Sequence, residues 1–589
     1  MCSISTDSSA PPKVAPNRVS VSPLFFGSTV ALVVALLWQL IPSTAHFLAA
    51  LGVLSVLVFG FLTSVVLFIH FYTGKDLRKA STSAGHISDL VNNVPPPEGA
   101  VDDLDKMLNP EGLSNLWKQE IQGNEKTFRI LLTGVTGYVG KAFLFQLLRE
   151  IAKAEEEGTK KLPHKVYVMA RAKARKNQSA DDRLKQIREE PIFAPYKKQW
   201  DDVVCAAEAG DLQDDKCGMS DETIQMLSDA QLTHVVHCAA DVNFNRPLPE
   251  AAGINISPAL QLQALASEWP TCTRFVHCST AFVQVGPGTK ENPVKEALPP
   301  LGNYDPQELY DSMRGDQKLA LQFKKDMGFP NNYVVTKCVA EHLVSRHNDA
   351  SKVELRIVRP AVVGPAWVHP YQGWNGDKPS TISGVFLLWG TRVIRFAPVL
   401  NRPMAVIPVD VVAAGIIHAM IAPPAKKEAD DKYPSSFRNL IWSCKSPIEF
   451  ATGVAQAKEN IQAALFLRHF SATESAVSYM LLDIVANFPT SFHLLHTIFN
   501  LGPLYLLQFV CWVVRMTGIK TVLEQVPVVK LFKFSDMLNL YQPYMGKDFC
   551  FESSLMVPES FNMSRYSAGL LKATQQFWSK MFPGKSNSL

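Results

Sequence analysis

Two short stretches of the chain carry side chains that could act on a carbonyl group together. Asn332-Tyr333-Val334-Val335-Thr336-Lys337 sets a phenol and an ammonium four residues apart. On a helix, positions i and i+4 share one face. A neighbouring ammonium stabilises phenolate, so the spacing predicts a Tyr333 pKa below its ordinary ~10 and a proton donor that works near neutral pH. The second stretch, Phe275-Val276-His277-Cys278-Ser279-Thr280-Ala281-Phe282, is an apolar run that ends in two hydroxyls. A hydroxyl at the carboxyl end of a strand can hydrogen-bond a substrate carbonyl oxygen, because open α/β sheets bind ligands along that edge. Thr280 is the preferred donor and Ser279 its competitor. Thr280, Tyr333 and Lys337 are therefore the expected catalytic set.

Such a set needs an electron source, and the sequence offers a place for one. Thr133-Gly134-Val135-Thr136-Gly137-Tyr138-Val139-Gly140 reads G-x-x-G-x-x-G between an apolar run and a helical pattern. Gly134 permits a tight turn, Gly137 lets the backbone approach a pyrophosphate, and Gly140 allows close packing of helix on strand. The phosphates then face the free N–H groups of a helix N-terminus. A nucleotide-hydrolysing P-loop is excluded. Five residues instead of four separate Gly134 from Gly140, and Ala142 stands where a Ser or Thr is required. After the next apolar run come Arg171-Ala172-Lys173-Ala174-Arg175-Lys176, with no acidic residue to accept the adenosine ribose hydroxyls. A guanidinium suits a 2′-phosphate, so Arg171 points to NADPH. Gly210-Asp211-Leu212 would put Asp211 near the adenine, and Lys337 would reach the nicotinamide ribose.

Short apolar runs at 127–133, 165–170, 203–210, 233–238, 273–278 and 353–358 alternate with helix-like stretches, including Lys141 to Ala152. That rhythm predicts a Rossmann-type doubly wound parallel sheet covered on both faces. The expected organisation is a disordered N-terminus at 1–20, an apolar hairpin at 21–73, a linker with one or two short helices at 74–125, a reductase domain at 126–445 and a mostly helical accessory domain at 446–589.

The 589 residues are 47% hydrophobic and 19% charged, with a net charge of +4, which excludes a disordered chain and the basic stripe of a nucleic-acid binder. Leu24 to Ile41 and Phe47 to Tyr72 contain no Lys, Arg, Asp or Glu, and both are long enough to cross a bilayer. Lys13 and Arg18 precede the first segment, and Lys75, Arg78 and Lys79 follow the second, so both ends are expected on the cytosolic side of a two-span hairpin. The endoplasmic reticulum is the expected membrane. The ten cysteines form no C-x-x-C pair and read as reduced thiols. The fourteen histidines include no H-E-x-x-H, and no metal is expected. A homodimer is compatible with the sequence.

Taken together, these motifs resemble the extended short-chain dehydrogenase/reductases, and within them the male-sterility-type fatty acyl-CoA reductases. The likeness runs through Thr133–Gly140, His237-Cys238-Ala239-Ala240-Asp241-Val242-Asn243-Phe244, Ser279–Phe282, Tyr333–Lys337, Arg359-Pro360-Ala361-Val362-Val363-Gly364-Pro365-Ala366-Trp367 and Ile407-Pro408-Val409-Asp410. The resemblance implies NADPH-dependent reduction of a long-chain acyl-CoA to a fatty alcohol through the aldehyde, with release of CoA. It implies cofactor contacts at Thr133, Gly134, Thr136, Gly137, Tyr138, Val139 and Gly140. Arg171, Asp211, Leu212, Ala239 and Ala240 would continue that surface, with Tyr333, Lys337, Pro360 and Val363 at the nicotinamide end. Asn255 matches the helix asparagine that helps position the lysine. Phe282 departs from the pattern, which often has tyrosine there, and the N-terminal hairpin is not general in the group. A carrier-linked thioester reductase releasing aldehyde and a membrane-bound hydroxysteroid dehydrogenase of the same fold are the alternatives.

Overall fold

The structure is a computed structural model. It describes residues 98–443 except 109–111, 159–163, 172–177, 285, 287, 349–351, 377–382, 384–404 and 424–434, and positions between 497 and 569, of which 549–562 form the longest run. The hairpin at 24–72, the N-terminus at 1–20 and most of 446–589 lie outside the described residues. Among the described residues no helix is long and apolar enough to cross a membrane.

Among the described residues seven strands form one sheet: β1 (Arg129–Thr133), β2 (Lys165–Arg171), β3 (Val204–Ala209), β4 (His234–His237), β5 (Arg274–Cys278), β6 (Glu354–Pro360) and β9 (Ser435–Leu440). Their order is β3-β2-β1-β4-β5-β6-β9, and every pair is parallel. Two further strands, β7 (Val362–Gly364) and β8 (Val406–Pro408), pair separately. Side chains alternate between two cores. Ile130, Leu132, Val168, Val236 and Val276 pack on one face, and Leu131, Met169, Val235 and Phe275 on the other. Both faces are buried, which is why these strands read as continuous apolar runs. β9 did not read so: its Ser435-Ser436-Phe437-Arg438 is polar, as an edge strand can be.

Seven helices matter for the site: α1 (Ala100–Lys106), α2 (Leu113–Trp117), α3 (Tyr138–Glu156), α4 (Leu248–Asn255), α5 (Ser257–Glu268), α6 (Asn332–Asn348) and α7 (Val409–Ile421). α3 is longer than the apolar spacing predicted. It starts at Tyr138, directly after extended Gly137, and stops before Gly158, whose φ is +72°. α7 is apolar on nearly all sides and almost wholly buried, so it packs between neighbours and not at the surface. α1 and α2 fall in the stretch read as a linker, yet Leu104, Leu113 and Trp117 are buried in the first core.

The far end of the chain also enters that core through Phe551, Leu555 and Tyr566. Phe551 forms an isolated parallel bridge with Val294. Asn439 Nδ2 donates to Glu552 O at 2.9 Å, Ser443 N donates to Leu555 O at 2.7 Å, and the Ser560 hydroxyl bonds the Asp103 carboxylate of α1.

Candidate active site

Strand order reverses between β1 and β4, and the glycine turn follows β1 at that point. Gly134 has φ +82°, and a Cβ there would lie 2.7 Å from Ala239 N and from Cys238 C. A Cβ on Gly140 would lie 2.4 Å from Gly134 O, so the turn itself, more than the strand, demands glycine there. Gly137 N donates to Gly134 O at 2.8 Å and closes the turn. No side chain caps the start of α3. A close-packed glycine cradle ending in an uncapped helix N-terminus fits a pyrophosphate. Thr136 is exposed and Val139 half-buried at this rim.

Two of the expected contacts have their side chains committed elsewhere. Thr133 Oγ1 sits 2.9 Å from His237 Nδ1 and accepts from Ala239 N at 3.1 Å, stitching β1 to the chain after β4. Burial, then Lys337, pull His237 down to about 3, so the imidazole is neutral in this bond. Tyr138 donates to Gly364 O at 2.9 Å and lies 3.1 Å from Trp374 O, fastening the turn to the 364–374 segment. Its backbone N–H remains at the helix start. Ala240 is half-buried beside this stitch.

At the outer end of the crevice, Arg171 Nη1 and Asp211 Oδ2 form an ion pair at 2.9 Å, with side chains 58% and 42% exposed. The sequence placed them separately, and the adjacency of β2 and β3 brings them together. Leu212 packs half-buried against the second core.

The catalytic candidates converge at the carboxyl ends of β5 and β6. Thr280 and Tyr333 lie side by side. Thr280 Oγ1 makes long contacts to Pro360 O at 3.4 Å and from Phe282 N at 3.5 Å, and Val363 follows half-buried in β7. Ser279 Oγ is buried with no partner. The expected lowering of the Tyr333 pKa does not occur. Burial pushes the phenol well above its ordinary value, with Cys278 and Tyr544 adding to the rise. Lys337 is turned to the backbone instead, donating to Cys278 O at 2.8 Å, and burial lowers its own pKa. Asn255 does not reach Lys337 either. Its amide donates to Thr336 Oγ1 at 3.1 Å and to Asp241 O at 3.2 Å, tying α4 and the turn after β4 to the helix that carries Tyr333.

Three features have roles that the sequence did not signal. Asp410, at the start of α7, accepts backbone N–H bonds from Trp367 (3.0 Å), Val368 (2.7 Å) and His369 (3.0 Å). The two motifs 359–367 and 407–410 are therefore one unit. Burial raises the Asp410 pKa, and these donors oppose the rise. Asn375, 1% exposed, has neither amide atom paired. Tyr544 packs against Phe244 (5.8 Å) and Phe282 (4.7 Å), and Phe244 lies 5.9 Å from Tyr333. Phe549 and Phe551 extend this aromatic wall, so Phe282 sits where an apolar ring belongs. Among the described residues no group of His, Cys, Asp and Glu could hold a metal ion.

Residues 132–416 match the family described as male sterility protein. Fatty acyl-CoA reductase 1 of Rattus norvegicus is 32% identical over 292 residues, 48% of this chain and 52% of that protein. Fatty acyl-CoA reductase 2 of Mus musculus is 31% identical over 294 residues, with the same two shares. The chain thus spans about half the length of the curated relatives it matches. The reductase domain of a nonribosomal peptide synthetase from Mycobacterium tuberculosis aligns with a TM-score of 0.48 at 14% identity, over 81% of this chain and 97% of that one.

Proposed function

From the match of residues 132–416 to the male sterility protein family, we propose that the chain reduces long-chain acyl-CoA to fatty alcohol through the aldehyde, releasing CoA. The observation that carries this reading is the juxtaposition of two hydroxyls, Thr280 and Tyr333, at the sheet edge that also carries the glycine cradle. The turn at 134–140 with the first N–H groups of α3, Arg171 at the outer rim, and Pro360 and Val363 at the inner end would hold NADPH, which supplies hydride.

The chain's own residues prepare the oxygen that gains charge. Thr280 and Tyr333 would donate to the thioester carbonyl oxygen, where preorganised donors help most. Because burial raises the Tyr333 pKa, the phenol stays protonated through neutral and moderately alkaline pH and keeps its proton for transfer. Lys337 grips Cys278 O and fixes the end of β5, from which Ser279 and Thr280 project. The wall of Phe244, Phe282 and Tyr544 offers the acyl chain an apolar side and keeps water from Tyr333.

The hairpin at 24–72 would tether this domain to the cytosolic face of the endoplasmic reticulum, with 446–589 as a helical accessory region. A tether suits the chemistry: each buried CH₂ favours the bilayer by roughly 0.8 kcal/mol, so a fatty alcohol partitions there. Membranes containing the full chain, incubated with NADPH and acyl-CoAs of several lengths, should yield fatty alcohol and free CoA with two NADPH oxidised per chain. Aldehyde accumulating with one NADPH per chain would correct the product, and no oxidation with any acyl-CoA would sink the reading.

A further inference from the structure

β4 and β5 end side by side, and each is followed or closed by a cysteine on the same side of the sheet. His237 is in register with His277, so Cys238 and Cys278 come next as neighbours. Their thiols are close enough to shift each other's titration, and both residues are only partly buried at the crevice edge. Neighbouring strands lie about 4.8 Å apart, within the Cα range that a disulfide spans. Of the other described thiols, Cys217 and Cys272 are pushed up to about 12 by burial, Cys338 and Cys550 are buried, and the partly buried Cys205 lies near the start of β3.

We propose that Cys238 and Cys278 form a reversible disulfide that switches the site off. The two thiols have unequal roles. The neighbouring Cys238 thiol holds the Cys278 thiol below its ordinary value, while Cys278 and burial raise Cys238. Cys278 is then the nucleophile and Cys238 the resolving thiol. With a hydroperoxide as oxidant, the Cys278 thiolate attacks the terminal peroxide oxygen, the O–O bond breaks, and hydroxide or alkoxide leaves, giving a sulfenic acid. Cys238 attacks that sulfur and displaces water. Two thiols are oxidised by two electrons and the peroxide is reduced by two. A dithiol reverses the step by exchange.

The link reaches both halves of the site. The Cys278 carbonyl anchors Lys337. The Cys238 backbone lies so close to Gly134 that a single Cβ would meet it at 2.7 Å. Drawing the two strand ends together therefore disturbs the proton-donor side and the glycine turn at once.

The activity readout rests on the reductase reading, and the covalent readout does not. Membranes holding the full chain would be treated with hydrogen peroxide, blocked with N-ethylmaleimide and digested without reduction. Mass spectrometry should find the Cys238–Cys278 peptide pair, NADPH-dependent turnover should fall at least about tenfold, and dithiothreitol should restore it. Cys238→Ala should keep basal turnover and lose the dithiothreitol-reversible component. Peroxide treatment that never yields the linked pair overturns the proposal, as does a linked pair with unchanged turnover. If the reduced chain turns nothing over, the reductase reading fails alone. The switch is then read on NADPH affinity, where a drop in the linked form supports it and no change overturns it.

Discussion

Arg171 and Arg359 each face a carboxylate, at 2.9 and 2.6 Å, and there the likeness ends. The Arg171–Asp211 pair lies at the outer rim with both side chains about half exposed, whereas Arg359 and Glu341 are 1% and 0% exposed. Arg359 also donates to Ala297 O and lies over the Phe437 ring at 4.6 Å. An exposed pair contributes roughly 0–1 kcal/mol, so Arg171 can leave Asp211 for a phosphate at little cost. A buried pair cannot exchange partners without stranding a charge. The rim is built to trade contacts, and the region around β6 and α6 is built to hold them.

Three substitutions would break or sharpen that contrast. Tyr333→Phe removes one hydroxyl from the held region and should cut turnover by about 10²–10⁴-fold with NADPH affinity unchanged, as single-turnover and binding measurements would show. Unchanged turnover would remove Tyr333 from the chemistry. Glu341→Ala leaves Arg359 buried without its carboxylate and should cost about 3–5 kcal/mol in urea unfolding of the chain. A loss under 1 kcal/mol would put this pair in the same class as the rim. Arg171→Ala should weaken NADPH about tenfold, roughly 1.4 kcal/mol, and leave NADH affinity unaltered. Equal loss for both cofactors would refute the 2′-phosphate role.

The same contrast sorts what could be read from the sequence. β1 to β6 were legible because burial on both faces leaves each strand a short unbroken apolar run. β9 escaped because its edge position allows Ser435 and Ser436. The Tyr333–Lys337 spacing was visible, since i and i+4 need only a helix. The direction of the Tyr333 shift was not, because desolvation belongs to the packed molecule and outweighs an ammonium that points at Cys278 O. Arg171 and Asp211 were each assigned by their own strand, and only the β2–β3 adjacency makes them partners. Asp410 was visible as a motif without its task, which appears only when the backbone of Trp367–His369 folds over it. Tyr544 offered no pattern at all, standing about 200 residues beyond the tyrosine whose wall it completes.

That late arrival sets a schedule for synthesis. When the ribosome finishes β9, the sheet can already close, but the strip at 549–562 that bridges Val294, caps Asn439 and reaches Asp103 has yet to be made. At about 5–20 residues per second the gap lasts many seconds. Through it Phe282 lacks Phe551, Trp442 lacks the Phe561 ring 5.4 Å away, and Asp103 of α1 lacks Ser560, so the nascent chain waits with an incomplete seam.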